Sequence, residues 1–282
     1  MLIDMHTHSN CSDGTDSPAE LAANAALAGL GAVALCDHDT MDGIEQAQAA
    51  GRECGVAVLR GLEMSTKLHG RTVHLLGYGC RPDDEALADA LARVRRGRDE
   101  RLSRMVAALN AAGVAITVDD VLACARPGTT PGRPHVADAL VAAGVVPNRD
   151  AAFSRWLDEG RPGYAEHPRV ELIRGINLIR RAGGVSVLAH AWGRGSRGVL
   201  KPKVIEQLAG CGLDGLEVDH NDHDAHQRAK LAALAQANNL IRTGSSDYHG
   251  TGKVNHDLGC NTTSQQSYEA VLALIDARGG RA

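Results

Sequence analysis

Seven short apolar runs divide the chain and limit the folds that it can adopt. Each run is rich in Val, Leu or Ile and is flanked by Gly or Asp, as buried strands are. Helical stretches separate most of them, so the sequence predicts an α/β barrel of parallel strands, one strand short of the common eight. The predicted strands are Leu2–His8, Ala32–Cys36, Val56–Glu63, Val73–Tyr78, Val185–His190, Leu213–Val218 and Leu240–Gly244.

Two stretches depart from strict alternation. Glu63 and Thr72 are too close for a helical crossover of roughly a dozen residues, so we predict a hairpin near His69-Gly70. That turn would bring Glu63 and His74 onto one face as near-diagonal neighbours. Residues 83 to 182 contain no good strand, and we predict a helical insert, 99–165, over the active site of a barrel formed by 1–98 and 166–282.

Ten helices are predicted between and after these strands. Ser17 before Pro18 is the pattern of an N-cap followed by proline in the first helical turn. The predicted helices are Pro18–Ala28, Thr40–Glu53, Asp84–Ala112, Val118–Ala125, His135–Ala143, Arg149–Leu157, Val170–Arg181, Lys203–Cys211, His223–Ala237 and Gln265–Arg278.

The composition excludes several classes of protein. The seven cysteines form no C-x-x-C pair, which argues against a disulfide framework and a thiolate zinc site and favours a reducing, cytoplasmic setting. An aromatic content of 2% argues against a base-stacking platform as the main binding device. The chain shows neither a signal-peptide pattern nor an apolar run of roughly 20 residues, so no membrane span is expected.

Histidine is in excess, with 13 in the chain, and six lie near predicted strand ends together with three carboxylates. His6 and His8 are two apart on a strand and therefore point to one face, which Asp4 shares and from which it could orient a ligand. Barrel enzymes assemble their sites at the carboxyl ends of strands. Imidazole and carboxylate ligands suit Mn²⁺, Fe²⁺ or Zn²⁺. The nine candidate metal ligands are His6, His8, Asp13, His38, Glu63, His74, His190, Asp247 and His249.

A single histidine near a strand end is more often a hydrogen-bonded core residue than a metal ligand. Nine such groups together favour a metal site, because burying them without metal would leave costly unsatisfied charge. The other histidines are expected outside the site: His220, His223 and His226 in a solvated loop and helix start, and His69, His167 and His256 at the surface.

The motifs that contain these residues are Asp4-Met5-His6-Thr7-His8, Ser12-Asp13-Gly14, Asp37-His38-Asp39, Glu63, His74, Ala189-His190-Ala191 and Asp247-Tyr248-His249. A chain that carries them resembles the polymerase-and-histidinol-phosphatase (PHP) family of metal-dependent phosphoesterases. The resemblance spans the chain except the helical insert. It implies a distorted (β/α)7 barrel that holds three divalent ions, with Mn²⁺ the first expectation and Fe²⁺ or Zn²⁺ as alternatives.

The same resemblance implies which residues hold each ion. His6, His8, Glu63 and Asp247 would hold the first, Glu63, His74 and His190 the second, and Asp13, His38 and His249 the third. Three divalent ions against three carboxylates leave a site charge of about +3, which favours a multiply charged anion over a neutral amide. Glu63 and Asp247 are then expected at the reacting atoms, whereas His38, His249 and a water remain open as the proton donor to the leaving alcohol.

An arginine-rich segment offers a place for a second phosphate. Between Arg93 and Arg133, eight Arg stand against four acidic residues, which makes this segment +4 in a chain of net charge −4. The Arg93–Arg104 group is expected to be a solvated helix face. Arg126 and Arg133 flank a Pro/Gly turn that precedes His135, and arginine binds phosphate through paired hydrogen bonds. The residues expected to contact substrate are Arg126, Arg133, His135, Asp13 and His38.

Within the PHP family, the insert resembles that of 3′,5′-nucleotide bisphosphate phosphatases. The expected activity is removal of the 3′-phosphate from a nucleoside 3′,5′-bisphosphate such as 3′-phosphoadenosine 5′-phosphate, and 5′→3′ trimming of short RNA is also allowed. Three alternatives stay open: a histidinol-phosphate or other small phosphomonoester phosphatase, a non-catalytic polymerase-associated or nucleic-acid-binding module, and an amide-hydrolysing metal barrel. Trp192 could pack against a base or be structural. No obligate protein partner is inferred.

Overall fold

The structure, a computed structural model, describes residues 1–125, 132–166 and 168–282, apart from the side chain of Asp99. Arg126 and His167, both named above, therefore lie outside the described residues. The described part contains eight strands, one more than the sequence predicts. They are β1 Leu2–Thr7, β2 Leu30–Leu35, β3 Ala57–Leu68, β4 Arg71–Tyr78, β5 Val170–Glu171, β6 Val185–Leu188, β7 Gly215–Asp219 and β8 Ile241–Gly244.

Each predicted helix has a counterpart in the structure. Ser17 is the N-cap of the first helix: its side chain accepts a hydrogen bond from N of Glu20, whose carboxylate accepts one from N of Ser17. The helices are α1 Pro18–Leu27, α2 Ile44–Cys54, α3 Glu85–Ala111, α4 Val118–Ala123, α5 Arg133–Ala142, α6 Arg149–Ala152, α7 Leu172–Arg181, α8 Pro202–Gly210, α9 Ala225–Ala237 and α10 Gln265–Ala277, with a π-helical turn, Phe153–Leu157, after α6.

The sheet runs in the order β1-β2-β3-β4-β6-β7-β8, with β5 beside β3. Strand β4 is antiparallel to both β3 and β6, and its pairing with β3 is the one that the predicted hairpin requires. The reason is the short turn at His69 and Gly70, whose φ angles of 48° and 79° reverse the chain at once. The predicted hairpin is confirmed: Ser65 pairs with His74, so His74 is diagonal to Glu63.

A correction concerns the stretch in which no strand was expected. Val170 and Glu171 form β5, which pairs with Thr66 and Lys67 of β3, so α7 begins two residues later than predicted. Two residues are too few to show any periodicity in a sequence. The first and last strands of this order are also linked, because an isolated bridge joins Thr7 of β1 to Tyr248, which follows β8. Closure of the whole sheet into a barrel stays a prediction.

The two faces of β1 differ in chemistry. Ile3 and Met5 are fully buried in an apolar core that also contains Val187 and Ile275. Since successive side chains of a strand point to opposite faces, His6 and its alternate neighbours face the other side. That side is also buried, but it is polar. One face of the strand therefore stabilises the fold, and the other supplies the candidate site.

The chain divides into two compact units, Met1–Leu91 with Arg169–Ala282, and Ala92–Pro168. The second unit has an apolar core of its own, in which Leu109, Val121, Leu140 and Leu157 are fully buried. The predicted placement of a helical insert over the site stays a prediction. Across the described residues, no helix combines the length and apolar character that crossing a membrane requires.

Candidate metal centre

Glu63 of β3 is the centre of a cluster of histidines. Its Oε1 lies 2.8 Å from Nδ1 of His74 and 3.1 Å from Nε2 of His190. Its Oε2 faces three more rings: Nδ1 of His38 at 3.1 Å, Nε2 of His8 at 3.2 Å and Nε2 of His6 at 3.3 Å. The Glu63 side chain is fully buried, so five imidazoles and one carboxylate share a site that excludes solvent from its centre.

Two further carboxylates complete the cluster. Oδ1 of Asp247 lies 3.4 Å from Nε2 of His8 and 3.5 Å from Nδ1 of His249. Oδ1 of Asp13 lies 3.4 Å from Nε2 of His249, and its Oδ2 lies 3.6 Å from Nε2 of His38. The structure thus brings together all nine residues that the sequence singled out.

Five atoms of this cluster are buried and, although imidazole and carboxylate groups lie close to them, they form no hydrogen bond of acceptable geometry in the described residues. They are Nδ1 of His8, Nδ1 of His38, Nδ1 of His74, Oε2 of Glu63 and Oδ1 of Asp247. Leaving a buried polar atom unpaired costs about 1–3 kcal/mol, so five of them in one place indicate an absent partner. Nitrogen and carboxylate oxygen atoms are ligands that Mn²⁺, Fe²⁺ and Zn²⁺ accept, so these residues fit divalent metal.

Three groups of these residues offer ligand atoms that all lie within 4.8 Å of one another: His8, Asp13, His38 and His249; His6, His8 and Asp247; and His38, Glu63 and His74. The buried groups are consistent with a site for more than one metal ion. They differ in detail from the sets that the resemblance implies, because His38 rather than His190 accompanies Glu63 and His74. Which residues hold which ion stays a prediction.

The two buried carboxylates are ionised at neutral pH. Burial alone would raise the pKa of Glu63, but His38 and His74 hold it well below its usual range. Burial would likewise raise the pKa of Asp247, which Arg194 and His6 hold well below its usual value. Both carboxylates therefore offer ionised oxygens to the centre of the cluster, which is the form in which a carboxylate binds a divalent cation.

Buried carboxylates beside the cluster shape its loops. Asp37 accepts hydrogen bonds from N of Ser9 at 2.9 Å and Oγ of Ser12 at 2.5 Å, which fixes the loop that carries Asp13. Asp4 was expected to orient a ligand. It does so through the backbone, by accepting from N of Ser246 at 3.0 Å, one residue before Asp247. Burial raises the pKa of Asp4 to about 6.

Three histidines expected in solvent are buried instead. His220 is 0%, His223 2% and His256 8% exposed. The chain turns back after β7, so that His220 Nε2 reaches Oδ2 of Asp247 at 3.2 Å, while His223 bridges O of Val218 and N of Trp192. Residues 219 to 226 are mostly polar, and this pattern does not indicate that the chain turns back here. One signal is available: His220 directly follows a strand, as several of the candidate ligands do. The surface predictions for His69 and His226 are confirmed.

Two cations that the sequence did not single out lie at the edge of the cluster. Arg194 and Lys253 both contact Oδ2 of Asp247, and their side chains are 34% and 24% exposed. Arg194 also lies 3.3 Å from Oδ2 of Asp222, and its φ of 50° is rare for a residue with a side chain. Both residues come from loops, where sequence periodicity gives no signal.

The remaining expected substrate contacts have local partners. The Arg133 guanidinium lies 5.8 Å from the centre of the Phe153 ring, and His135 Nδ1 accepts from N of Gly132 at 3.0 Å. Their contact with substrate stays a prediction. Trp192 is 7% exposed and donates from Nε1 to O of Leu200, which favours the structural alternative over packing against a base.

Comparison with known proteins matches residues 4–118 to the PHP domain. A 3′,5′-nucleoside bisphosphate phosphatase of Chromobacterium violaceum is 36% identical over 91% of this chain and 90% of its own length. A 5′-3′ exoribonuclease of Haemophilus influenzae is 32% identical over 87% of this chain and 89% of its own. The crystal structure of a candidate metal-dependent phosphoesterase from Bifidobacterium adolescentis, 38% identical, matches with a TM-score of 0.85 over 96% of both chains.

Proposed function

Because this chain belongs to the PHP-domain family of metal-dependent phosphoesterases, we propose that it hydrolyses the 3′-phosphate of nucleoside 3′,5′-bisphosphates. The observation that carries the proposal is the cluster of nine metal-ligand candidates with two partly exposed cations, Arg194 and Lys253, at its edge. The similarity to the Chromobacterium violaceum phosphatase supports a nucleotide substrate. The similarity to the Haemophilus influenzae exoribonuclease supports the 5′ ends of short RNA as a second substrate.

The nine residues would hold three divalent ions, with Mn²⁺ as the first choice. When present, such cations supply Lewis acidity, which activates water near neutral pH and offsets the charge that develops on phosphoryl oxygens. The residues of the chain would hold and orient these ions. Glu63, which lies within 3.3 Å of five imidazoles, would be shared between two of the ion sites.

The open side of the cluster is where substrate would enter. The Asp13 side chain is 40% exposed, and its neighbours His38 and His249 are 9% and 10% exposed, whereas Glu63 and Asp247 are fully buried. A phosphate that approaches from this side meets Asp13 and His38 first. This supports their role in substrate contact and keeps His38 and His249 as candidates for proton transfer to the leaving alcohol.

Arg194 and Lys253 would bind phosphate oxygens. The guanidinium group of arginine and the ammonium group of lysine are common phosphate-binding groups in proteins. Both side chains contact Oδ2 of Asp247, the oxygen that faces away from His8. They therefore lie beside the cluster and keep part of their surface exposed. A bound phosphate would compete with Oδ2 of Asp247 for hydrogen bonds from Arg194 and Lys253. Oδ1 of Asp247 would stay available to metal.

Substituting these two cations tests that role. We expect Arg194→Gln and Lys253→Gln each to lower kcat/KM for a phosphate ester about 10-fold, mainly through KM, because each removes one charge-assisted hydrogen bond. Steady-state phosphate release with Mn²⁺ measures the effect, and Lys230→Gln on the exposed face of α9 is the matched control. Unchanged KM in both variants would contradict the assignment.

A substrate panel tests the function itself. We expect adenosine 3′,5′-bisphosphate to be hydrolysed by the Mn²⁺-loaded protein with a kcat/KM at least about 10-fold above that of adenosine 3′-monophosphate, because a second phosphate adds a charged contact. Equal rates would defeat the second-phosphate contact. A preference for histidinol phosphate would support a different phosphatase, and hydrolysis of amides alone would support the amide-hydrolysing alternative. RNA binding without any hydrolysis would support a non-catalytic module.

A further inference from the structure

Strand β7 supplies none of the nine candidate ligands, yet it ends at the cluster. Two polar side chains, Glu217 on the strand and His220 immediately after it, are fully buried there. The proposed phosphatase chemistry gives neither of them a task. Their contacts show what they do to the residues around them.

Glu217 holds two histidines at once. Its Oε1 lies 3.1 Å from Nδ1 of His6, and its Oε2 accepts from the backbone N of His190 at 2.6 Å. Because its Oε2 accepts from the backbone N of His190, the Glu217 carboxylate acts as a hydrogen-bond acceptor, and its Oε1 faces the His6 ring in the same role. Nδ1 of His6 must then carry the proton. In the neutral ring, this leaves the lone pair on Nε2, which faces Glu63 at 3.3 Å.

The contact with His190 has a second consequence. His190 has a φ of 28°, in the left-handed region that residues with side chains rarely adopt. Such a conformation is strained and persists only where its surroundings enforce it. The hydrogen bond from His190 N to Glu217 is part of that constraint. It holds the ring so that its Nε2 lies 3.1 Å from Glu63.

His220 acts in the same way on a carboxylate. Its Nδ1 accepts a hydrogen bond from N of Asp222 at 3.0 Å, so in the neutral ring the proton is on Nε2. That Nε2 donates to Oδ2 of Asp247 at 3.2 Å. The other oxygen, Oδ1, is buried without a hydrogen-bond partner and faces His8. His220 has no lone pair left for a metal, although His220, Asp247 and His256 are close enough to suggest one.

We propose that Glu217 and His220 are positioning residues that orient three predicted metal ligands, His6, His190 and Asp247. This inference rests on the metal centre of the proposed function and not on its substrate. Glu217 fixes the proton on the His6 ring and the backbone of His190. His220, together with Arg194 and Lys253, occupies Oδ2 of Asp247 and leaves Oδ1 free. Hydrogen-bond partners of metal ligands typically change metal affinity 10–100-fold when they are removed.

Paired variants separate this role from simple packing. Glu217 accepts hydrogen bonds from Nδ1 of His6 and from N of His190, and Glu217→Gln leaves only one acceptor oxygen for these two donors. We therefore expect the Kd for Mn²⁺ to rise about 10–100-fold. His220→Asn keeps an acceptor near the Nδ1 position but loses the donor to Asp247, so a similar rise is expected. His220→Gln places an amide N–H near the Nε2 position and is expected to restore Mn²⁺ affinity to within about 3-fold of the original chain.

The readout is calorimetric titration of the metal-free full chain with Mn²⁺, together with thermal unfolding of the same metal-free samples. Glu206→Gln on the exposed face of α8 is the matched control and should change neither value. Mn²⁺ affinity that is unchanged in Glu217→Gln, or equal in His220→Asn and His220→Gln, would overturn the proposal. So would weaker binding that merely follows a loss of metal-free stability across all the variants.

The same titration keeps this inference apart from the substrate assignment. It contains no phosphate ester, so a chain that binds Mn²⁺ in the expected order of variants supports the positioning role whatever it hydrolyses. A chain that binds Mn²⁺ tightly but releases no phosphate from adenosine 3′,5′-bisphosphate would refute the proposed function alone.

Discussion

Glu63→Ala is expected to abolish metal binding and phosphate release together. Glu63 lies within 3.3 Å of five imidazoles, so its loss removes a ligand that we propose to be shared and leaves these rings without their carboxylate neighbour. We expect kcat to fall by ~10³-fold or more, because such centres act through their metal. Metal content per chain after dialysis, and phosphate release with added Mn²⁺, measure the two effects.

Two further variants make this result interpretable. Glu63→Gln keeps the size of the buried side chain and removes only its charge, so a loss of metal in both variants cannot be assigned to a cavity. Glu206→Ala, on exposed surface, should retain metal and activity. Full activity in Glu63→Ala would refute the metal mechanism.

Removing metal from the unaltered chain is expected to lower stability as well as activity. Five buried polar atoms at the site have no hydrogen-bond partner in the described residues, and metal would satisfy them. A ligand present at 100–1,000 times its Kd stabilises the folded state by about 3–4 kcal/mol, which for a chain of this size shifts Tm by on the order of 10 °C. Thermal unfolding of chelator-treated protein, before and after Mn²⁺ is added back, measures the shift.

The Glu63→Ala variant provides the control for that experiment. Its Tm should not respond to Mn²⁺, because the shared ligand is gone. An equal Tm with and without Mn²⁺ in the unaltered chain would show that the cluster binds no metal under those conditions. Recovery of stability without recovery of phosphate release would place the error in the substrate assignment.

Much of the candidate site could be predicted from the sequence, for a physical reason. A strand has a period of two, so His6 and His8 must share a face wherever the strand lies. A hairpin at His69-Gly70 has a register that puts His74 diagonal to Glu63, and the structure confirms it. These predictions depend only on local geometry, which the residues themselves impose.

The errors have an equally physical origin. His220 and His223 are in a run of polar residues that is typical of a solvated loop, but the chain turns back after β7 and buries both. Arg194 and Lys253 are in loops without periodicity, and they meet only at Asp247. Whether a polar residue is buried depends on what packs over it, and no local pattern contains that information.

Residue type and local spacing determined which side chains could bind metal and that the strand ends would carry them. Only the tertiary structure decided how each ligand is held, because the residues that orient it come from distant parts of the chain. His6 and Glu217 are 211 positions apart, yet Nδ1 of His6 lies 3.1 Å from Oε1 of Glu217, and in our proposal this contact leaves Nε2 of His6 free. His220, 27 positions from Asp247, lies 3.2 Å from Oδ2 and is one of the groups that occupy this oxygen. The residue type decides whether a side chain can bind metal. The residues that contact that side chain in the folded protein decide which of its atoms carries a proton and which is free to bind.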